Sequence, residues 1–233
     1  MTTTLITGAN KGLGFETARR LIAAGHTVYI GARSIARGEA AAAELGARFL
    51  RIDVTDDASV EAAMRVIEER DGRLDVLVNN AGIGDGLVGV DGLTGATALV
   101  EFDTNAVGVV RVTQAALPLL RKSENPVVVN ISSGLGSFWA VTNPERQESH
   151  NAFVVYGATK AAVSMLTVQY AKALPDIKFN AVEPGYTATD LTAPFGGGGR
   201  PVQESAEVIV RLASIGKDGP TGTFQETTGE LAW

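Results

Sequence analysis

The sequence contains no cysteine in its 233 residues. This absence excludes disulfide bonds, a thiol nucleophile and metal sites with cysteine ligands, and it fits a reducing compartment. Only two histidines occur, His26 and His150, and neither stands at a spacing that suggests a serine-hydrolase triad. We therefore predict no metal site, and we expect a cytoplasmic protein.

Excess positive charge and long apolar runs are also absent. The net charge of −6 argues against nucleic acid, which calls for a basic surface. No run reaches the roughly 18 apolar residues of a membrane span. The first apolar strand begins within a few residues of Met1, so we expect no signal peptide before it. The sequence predicts neither nucleic acid nor a membrane as a partner.

Short apolar runs alternate with stretches of helical periodicity along the whole chain. The predicted strands are 4–6, 27–32, 48–54, 74–78, 126–132, 177–182 and a short 221–225, and the predicted helices are 15–24, 35–45, 56–70, 96–121, 156–173 and 202–215. This alternation predicts a single-domain α/β fold of the Rossmann type, a doubly wound parallel sheet of about seven strands with helices on both faces. Ligands of such folds bind beyond the carboxyl ends of the strands.

A glycine-rich turn, Thr7 to Gly14, follows the first predicted strand and precedes the first predicted helix. Gly8 allows a sharp turn, while Gly12 and Gly14 leave room for a phosphate beside the backbone. The helix N-terminus then offers N–H groups to a pyrophosphate. The turn lacks the Gly-Lys-Ser/Thr ending of an ATPase P-loop, so we do not expect phosphoryl transfer. Taken alone, it would equally fit a loop that only reverses the chain.

Four polar residues suggest acid–base chemistry. Tyr156 and Lys160 are four residues apart and share one helix face, where an ammonium would lower the tyrosine pKa from about 10. Ser133 ends the fifth strand, where a hydroxyl could bond a carbonyl oxygen that gains charge. Asn105 lies within the long helix and could bend it, hold a water or face solvent. Each residue alone also fits a purely structural role.

Together these residues resemble the classical short-chain dehydrogenase/reductase family. The matching motifs occur in the family order and are Thr7-Gly8-x-x-x-Gly12-x-Gly14, Asn79-Asn80-Ala81-Gly82, Asn105, Ser133, Tyr156-x-x-x-Lys160 and Pro184-Gly185-x-x-x-Thr189. They cover nearly the whole chain. The resemblance implies an oxidoreductase that transfers a hydride between a nicotinamide cofactor and a small-molecule carbonyl or alcohol substrate.

The resemblance also implies roles for individual residues. Tyr156 would be the proton donor, Lys160 would lower its pKa and bind the nicotinamide ribose, Ser133 rather than Ser132 would orient the carbonyl, and Asn105 would hold a water of a proton relay. The expected cofactor-binding residues are Gly8, Asn10, Lys11, Gly12, Leu13, Gly14, Arg33, Asp53, Val54, Asn80, Ala81, Gly82, Tyr156, Lys160, Pro184, Gly185, Thr187 and Thr189.

The end of the second strand indicates which nicotinamide cofactor is used. An NAD enzyme usually has a carboxylate there for the ribose 2′-hydroxyl. Here Ala32 takes that position, and Arg33 follows. An arginine binds a 2′-phosphate through charge-assisted hydrogen bonds, and Lys11 and Arg37 could add further cations. We predict NADP(H), the alternative being that these cations only face solvent. Asp53 resembles the family residue that contacts adenine.

Two segments are expected to shape the substrate site. The insert near 134–155 is longer than in many family members and resembles that of carbonyl reductases; its aromatic residues would either line the pocket or anchor the loop. The substrate loop is expected near 186–200, where four consecutive glycines, 196–199, predict mobility. A homo-oligomer is possible. The alternatives to a carbonyl reductase are a non-catalytic dinucleotide-sensing regulator and an enzyme that works mainly as an alcohol dehydrogenase.

Overall fold

A computed structural model describes residues 1–84, 90–193 and 198–233 of the chain. Within these ranges eight strands form one sheet. The strands are β1 (Thr3–Thr7), β2 (Thr27–Ala32), β3 (Arg48–Arg51), β4 (Val76–Asn79), β5 (Val127–Ile131), β6 (Lys178–Val182), β7 (Thr223–Glu226) and β8 (Gly229–Glu230). Their order in the sheet is β3-β2-β1-β4-β5-β6-β7-β8, and all neighbours are parallel except the antiparallel pair of β7 and β8.

Helices cover both faces of this sheet, as the alternating sequence predicted. They are α1 (Gly12–Ala23), α2 (Ile35–Leu45), α3 (Asp57–Asp71), α4 (Gly95–Phe102), α5 (Gly108–Leu120), α6 (Phe138–Thr142), α7 (Val154–Ala173) and α8 (Val202–Ala213). None of the helices in the described part of the chain is both long and apolar enough to span a membrane.

Successive residues of each strand enter different cores. Leu5 packs in the core that contains apolar residues of α3 and α5, while Ile6 packs in the core that contains residues of α1 and α8. Because side chains alternate across a strand, a sheet covered on both faces needs apolar residues at every position. This explains the near-continuous apolar runs of the sequence. The chain winds outward from β1 to β3 and then returns to place β4 beside β1, which opens a crevice at their carboxyl ends.

Most predicted elements are observed close to their predicted ranges, but two regions differ. The predicted helix 96–121 is divided by a π-helical segment, Asp103–Val107, between α4 and α5. The predicted strand 48–54 ends at Arg51. The two-residue β8 was not predicted, because such a short pairing leaves no periodic pattern.

The insert near 134–155 folds onto the end of the chain. Ser137 caps α6 by accepting a hydrogen bond from the Ala140 N–H, and its hydroxyl donates to the backbone oxygen of Ala232 at 2.7 Å. The Trp139 N–H donates to the backbone oxygen of Trp233 at 3.1 Å. The C-terminal residues therefore anchor the insert beside the sheet.

Candidate active site

A cleft of about 1340 Å³ lies beyond the carboxyl ends of the parallel strands. It brings together residues that are far apart in the sequence. All but one of the predicted site residues line it: Gly8, Asn10, Lys11, Gly12, Leu13, Gly14, Arg33, Asp53, Val54, Asn80, Ala81, Gly82, Ser133, Tyr156, Lys160, Pro184, Gly185, Thr187 and Thr189. The exception is Asn105, which lies behind the wall of the cleft.

The glycine-rich turn is held against the loop that follows β4. The Asn80 side chain donates to the backbone oxygens of Thr7 at 2.8 Å and Gly8 at 3.2 Å. Gly8 has a φ of +65°, and a Cβ there would lie 2.9 Å from the Ala81 Cα. A Cβ on Gly14 would lie 2.5 Å from the Asn80 amide nitrogen. Glycine is therefore required at both positions by close packing, and the N-terminus of α1 faces the cleft as a pyrophosphate site demands.

The far end of the cleft carries the cationic residues that follow β2. Arg33 and Arg37 are exposed and line the cleft, next to Asp53 and Val54, which follow β3. Burial raises the pKa of Asp53, but hydrogen bonds from Thr55 and the charge of Arg33 outweigh this effect and lower it. The buried Ala32 leaves no carboxylate at the end of β2. These residues fit the adenosine end of a dinucleotide with an anionic ribose substituent.

Lys11, the third predicted cation, has a partner in the loop near 186–200. Its ammonium lies 2.5 Å from a carboxylate oxygen of Asp190, and both side chains are exposed. This ion pair joins the glycine-rich turn to the loop near 186–200, across the mouth of the cleft.

At the other end of the cleft, the side chains of Ser133 and Tyr156 lie next to each other, and the Ser133 hydroxyl acts to lower the tyrosine pKa. Tyr156 and Lys160 occupy successive turns of α7, as predicted, and the Lys160 ammonium lies 5.6 Å from the centre of the tyrosine ring. The ammonium also donates to the backbone oxygen of Ile131, in β5, at 2.8 Å. The arrangement places a serine hydroxyl, a tyrosine hydroxyl and an ammonium group in one corner of the cleft.

The two serines after β5 face opposite directions. The Ser132 hydroxyl is buried, donates to the backbone oxygen of Lys160 at 3.0 Å and lies 2.9 Å from the Ser164 hydroxyl. Ser133, in contrast, lines the cleft beside Tyr156 and accepts the Leu135 N–H at 3.2 Å. Only Ser133 is therefore placed to meet the same small molecule as Tyr156.

Asn105 sits in the π-helical segment and is 1% exposed, so the solvent-facing alternative is wrong. Its amide oxygen accepts the Ile83 N–H at 2.8 Å, and its amide nitrogen donates to the Ile83 oxygen at 2.9 Å and to the Thr159 hydroxyl at 3.1 Å. Asn105 thus joins the loop after β4 to the residue preceding Lys160. The widened helical turn directs its side chain inward, because π segments displace one residue from the regular helix.

The ionisation of the tyrosine–lysine pair differs from the sequence expectation. Burial raises the pKa of Tyr156, the carboxylates of Glu183 and Glu101 raise it further, and only the Ser133 hydroxyl opposes them. Burial lowers the pKa of Lys160 to about 8, against the opposing effect of the same two carboxylates. The expected lowering of the tyrosine pKa was therefore wrong for this structure. The ammonium donates to the Ile131 oxygen, while burial and two glutamates favour the neutral phenol.

Sequence reasoning assigned no role to Glu183 or Glu101. Glu183 follows β6 directly before Pro184, at the strand edge where site residues were expected, and it is buried. Glu101 precedes Asn105 by one helical turn in α4 and is fully buried. Two signals were therefore available: an acidic residue at a strand end, and an acidic residue on the inner face of an apolar helix.

The insert near 134–155 and the loop near 186–200 both contribute to the wall of the cleft. The lining residues from these two segments include Leu135, Glu145, Gln147, Asn151, Phe153, Tyr186 and Leu191. Among the aromatic residues of the insert, Phe153 lines the cleft, Trp139 stacks with the Arg146 guanidinium at 5.7 Å, and Phe138 is 73% exposed. Both expected roles, lining and anchoring, are thus present. Mobility was predicted for residues 196–199. Of these, Gly196 and Gly197 lie outside the described part of the chain.

Over residues 1–84, 90–193 and 198–233, no group of three or more His, Asp or Glu side chains is placed to hold a metal ion. The cleft instead combines a glycine-rich turn at a helix N-terminus with a Ser-Tyr-Lys set. A doubly wound parallel sheet with these features defines a dinucleotide-binding oxidoreductase.

The chain belongs to the short-chain dehydrogenase/reductase family, since the model of the short chain dehydrogenase family matches residues 2–197. It is 33% identical to the short-chain dehydrogenase/reductase ATR10 of Stachybotrys chlorohalonatus, over 97% of this chain and 88% of that protein. It is 31% identical to (−)-isopiperitenone reductase of Mentha piperita, over 94% of each. The NADPH-bound carbonyl reductase from chicken fatty liver has the same fold with a TM-score of 0.86, at 26% identity over 100% of this chain and 99% of that one.

Proposed function

We propose that this protein is an NADP(H)-dependent short-chain reductase that converts a ketone or aldehyde to an alcohol, with Tyr156 as the proton donor. The observation that carries the proposal is that the Ser133 and Tyr156 side chains lie together in the cleft that the glycine-rich turn also lines. A hydroxyl pair of this kind can hold one carbonyl oxygen from two sides. The same residues would serve alcohol oxidation, so the physiological direction follows from cofactor and substrate supply.

The cofactor would extend along the whole cleft. The glycine-rich turn and the N-terminus of α1 would hold the pyrophosphate, and the loops after β3 and β4 would hold the adenosine. Pro184, Gly185, Thr187 and Thr189, after β6, would hold the nicotinamide. When bound, the nicotinamide supplies the hydride that reaches the carbonyl carbon. Comparison supports this placement, because the carbonyl reductase with the same fold is described as NADPH-bound.

The residues of this chain would handle the proton. Ser133 would orient the substrate carbonyl and stabilise its oxygen as negative charge develops. Tyr156, whose pKa is raised by burial, stays neutral at ordinary pH and keeps the proton it would donate. Lys160, held by the Ile131 oxygen, would bind the nicotinamide ribose and return a proton to the tyrosine. Asn105 would hold the water that connects Lys160 with solvent.

The preference for NADP(H) rests on charge. Ala32 offers no carboxylate to a ribose hydroxyl, and the exposed Arg33 and Arg37 beside it would pair with a 2′-phosphate. Lys11 would add a third cation once it leaves Asp190. The sum of these charges supports NADPH over NADH.

The test is the oxidation of NADPH and of NADH, each with a panel of aromatic and aliphatic ketones and aldehydes. We expect turnover that favours NADPH, and the best substrate would define the pocket. Turnover that favours NADH would contradict the cofactor assignment and leave the reductase assignment intact. Tight NADPH binding without turnover of any carbonyl would contradict the reductase and favour a dinucleotide-sensing regulator.

Residues 1–233 would form one domain, in which 134–155 is the insert and 186–200 the substrate loop. The protein would work in the cytoplasm on a small molecule, as a monomer or a homo-oligomer. Light scattering after size-exclusion chromatography, with and without NADPH, would establish the oligomeric state.

A further inference from the structure

Glu183 joins the loops that follow two neighbouring strands. It comes directly after β6 and is 8% exposed. One of its carboxylate oxygens accepts the Gly185 N–H at 2.7 Å, and the other accepts the Gly134 N–H. Gly134 follows Ser133, while Gly185 lies in the loop that lines the nicotinamide end of the cleft. A single side chain therefore connects the serine to the cofactor loop.

The surroundings of Glu183 make a carboxylate an unfavourable choice on grounds of stability alone. Burial raises its pKa, the two backbone N–H groups oppose this, and the nearby Glu148 and Glu226 raise it further. Arg146 neutralises these two neighbours through contacts of 2.8 and 3.1 Å. A buried carboxylate in such a place is costly, yet its two oxygens are the acceptors of both backbone N–H groups, so the loops after β5 and β6 are held together at that cost.

We propose that Glu183 is a positioning residue of the active site, which holds the Ser133 loop against the cofactor loop so that the Ser133 and Tyr156 hydroxyls meet one substrate carbonyl. This inference rests on the reductase function proposed above. Glu183 touches neither substrate nor reacting atoms in this scheme. It acts through the two backbone N–H groups that it accepts.

The negative charge of Glu183 also acts on the pKa values of neighbouring groups, an effect that a residue with only a structural role would not need. The groups that face it are Tyr156 and Lys160 from α7, Glu148 from the insert and Glu226 from β7, and Glu101 from α4 acts on the same pair. The Glu183 carboxylate raises the pKa of Tyr156 and also that of Lys160. Its removal should lower both values, so that the tyrosine would lose its proton at a lower pH.

The experiment compares wild-type protein with Glu183→Gln, which keeps the size of the side chain, removes the charge and puts an NH2 donor where one of the two N–H acceptors was. We expect kcat for carbonyl reduction to fall about tenfold or more, because a misplaced serine weakens the stabilisation of the oxyanion. We expect KM for NADPH to change less than about threefold, and the alkaline midpoint of the kcat profile to move down by about one pH unit. Glu16→Gln is the matched control, since Glu16 is also buried and ion-paired but lies on α1 outside the cleft.

Amide hydrogen exchange gives a readout that does not require turnover. In Glu183→Gln, the Gly134 and Gly185 amides should exchange about tenfold faster than in wild type, while the β5 and β6 amides stay unchanged. Unchanged exchange at both glycines would overturn the proposal, as would wild-type kcat with a wild-type pH midpoint. A uniform loss of kcat without a pH shift, and with wild-type exchange, would reduce Glu183 to a structural residue and overturn it also.

If Glu183→Gln does not fold, Glu183→Asp takes its place, because aspartate keeps the charge but withdraws the oxygens from the two N–H groups by one carbon–carbon bond. It should then show the loss of kcat without the pH shift, and full kcat would contradict the proposal. If wild type turns over no carbonyl, the proposed function fails, whereas the exchange of Gly134 and Gly185 still decides the positioning contact.

Discussion

The ammonium of Lys160 donates to the backbone oxygen of Ile131 at 2.8 Å, which fastens α7 to the end of β5. Ile131 precedes the two serines of that strand end, so this contact fixes the distance between the lysine and the serine loop. The same burial that makes the bond possible lowers the pKa of Lys160 to about 8. Lys160 is thus held firmly, and its burial carries a cost in stability.

That cost predicts a pH-dependent stability. In the unfolded chain Lys160 keeps its proton up to its ordinary pKa of 10.5, whereas the folded protein releases it near 8. Between these values the unfolded state binds more protons, so stability rises with pH. Relative to Lys160→Met, the free energy of unfolding of wild type should increase by about 2 to 3 kcal/mol from about pH 7 to about pH 10. Urea unfolding of both proteins at the two pH values measures the difference in their free energies of unfolding. A difference that stays constant or falls as the pH rises would show that burial does not lower the pKa of Lys160.

The glycine-rich turn predicts a loss of cofactor binding for Gly8→Ala. The new Cβ would lie 2.9 Å from the Ala81 Cα, in a residue with a φ of +65°. Gly46→Ala is a matched control, since Gly46 has a φ of +66° and its new methyl group would have no neighbouring atom within 4 Å. Both variants should lose about 1 to 2 kcal/mol of stability from the left-handed backbone. Only Gly8→Ala should lose NADPH affinity, measured by fluorescence titration; equal affinities would contradict the turn as the pyrophosphate site.

Arg33, the cation that follows β2, predicts a preference for NADPH over NADH. Arg33→Ala should lower kcat/KM with NADPH about 10- to 100-fold, because a hydrogen bond to a charged group contributes about 1.5 to 3 kcal/mol. The value with NADH should change little. Arg65→Ala, at an exposed arginine of α3 outside the cleft, serves as the control. Equal losses with both cofactors would show that Arg33 acts on something other than the 2′-phosphate.

The ion pair between Lys11 and Asp190 predicts tighter binding of NADPH when the aspartate is replaced. In Asp190→Asn the ammonium of Lys11 no longer has the carboxylate that now lies 2.5 Å away. It becomes available to the 2′-phosphate, so KM for NADPH should fall about two- to threefold at low salt, and the effect should fade as salt is added. NADH is the internal control, since it has no 2′-phosphate. A rise in KM for NADPH would show that Asp190 itself helps to bind the cofactor.

Local sequence patterns predicted the fold and most of the residues that line the cleft. The ranges 27–32 and 35–45 are those of β2 and α2, because an apolar run and an alanine-rich amphipathic stretch are each defined by their own residues. Asn105 shows the limit of such reasoning. It lies in a π segment, and its amide bonds the Ile83 backbone and Thr159, which lie far away in the sequence.

The same limit applies to charge. The pKa of Tyr156 was expected to fall because Lys160 is four residues away, a fact that the sequence contains. It rises because the side chain is buried and because Glu183 and Glu101 converge on it from β6 and α4. Burial and convergence depend on the packing of distant elements, and no spacing within one helix reveals them. The positioning contact of Glu183 was missed for the same reason, although its place at the end of a strand was a visible signal.

The central claim is that Tyr156 donates the proton, and Tyr156→Phe tests it most directly. Phenylalanine keeps the ring and removes the hydroxyl that lies beside Ser133. With the best carbonyl of the panel, kcat should fall by about 10²- to 10⁴-fold, the range of general acid catalysis. The Kd for NADPH should stay within about threefold of wild type, because the cofactor contacts along the rest of the cleft remain. Turnover by Tyr156→Phe at a rate close to that of wild type would contradict the account.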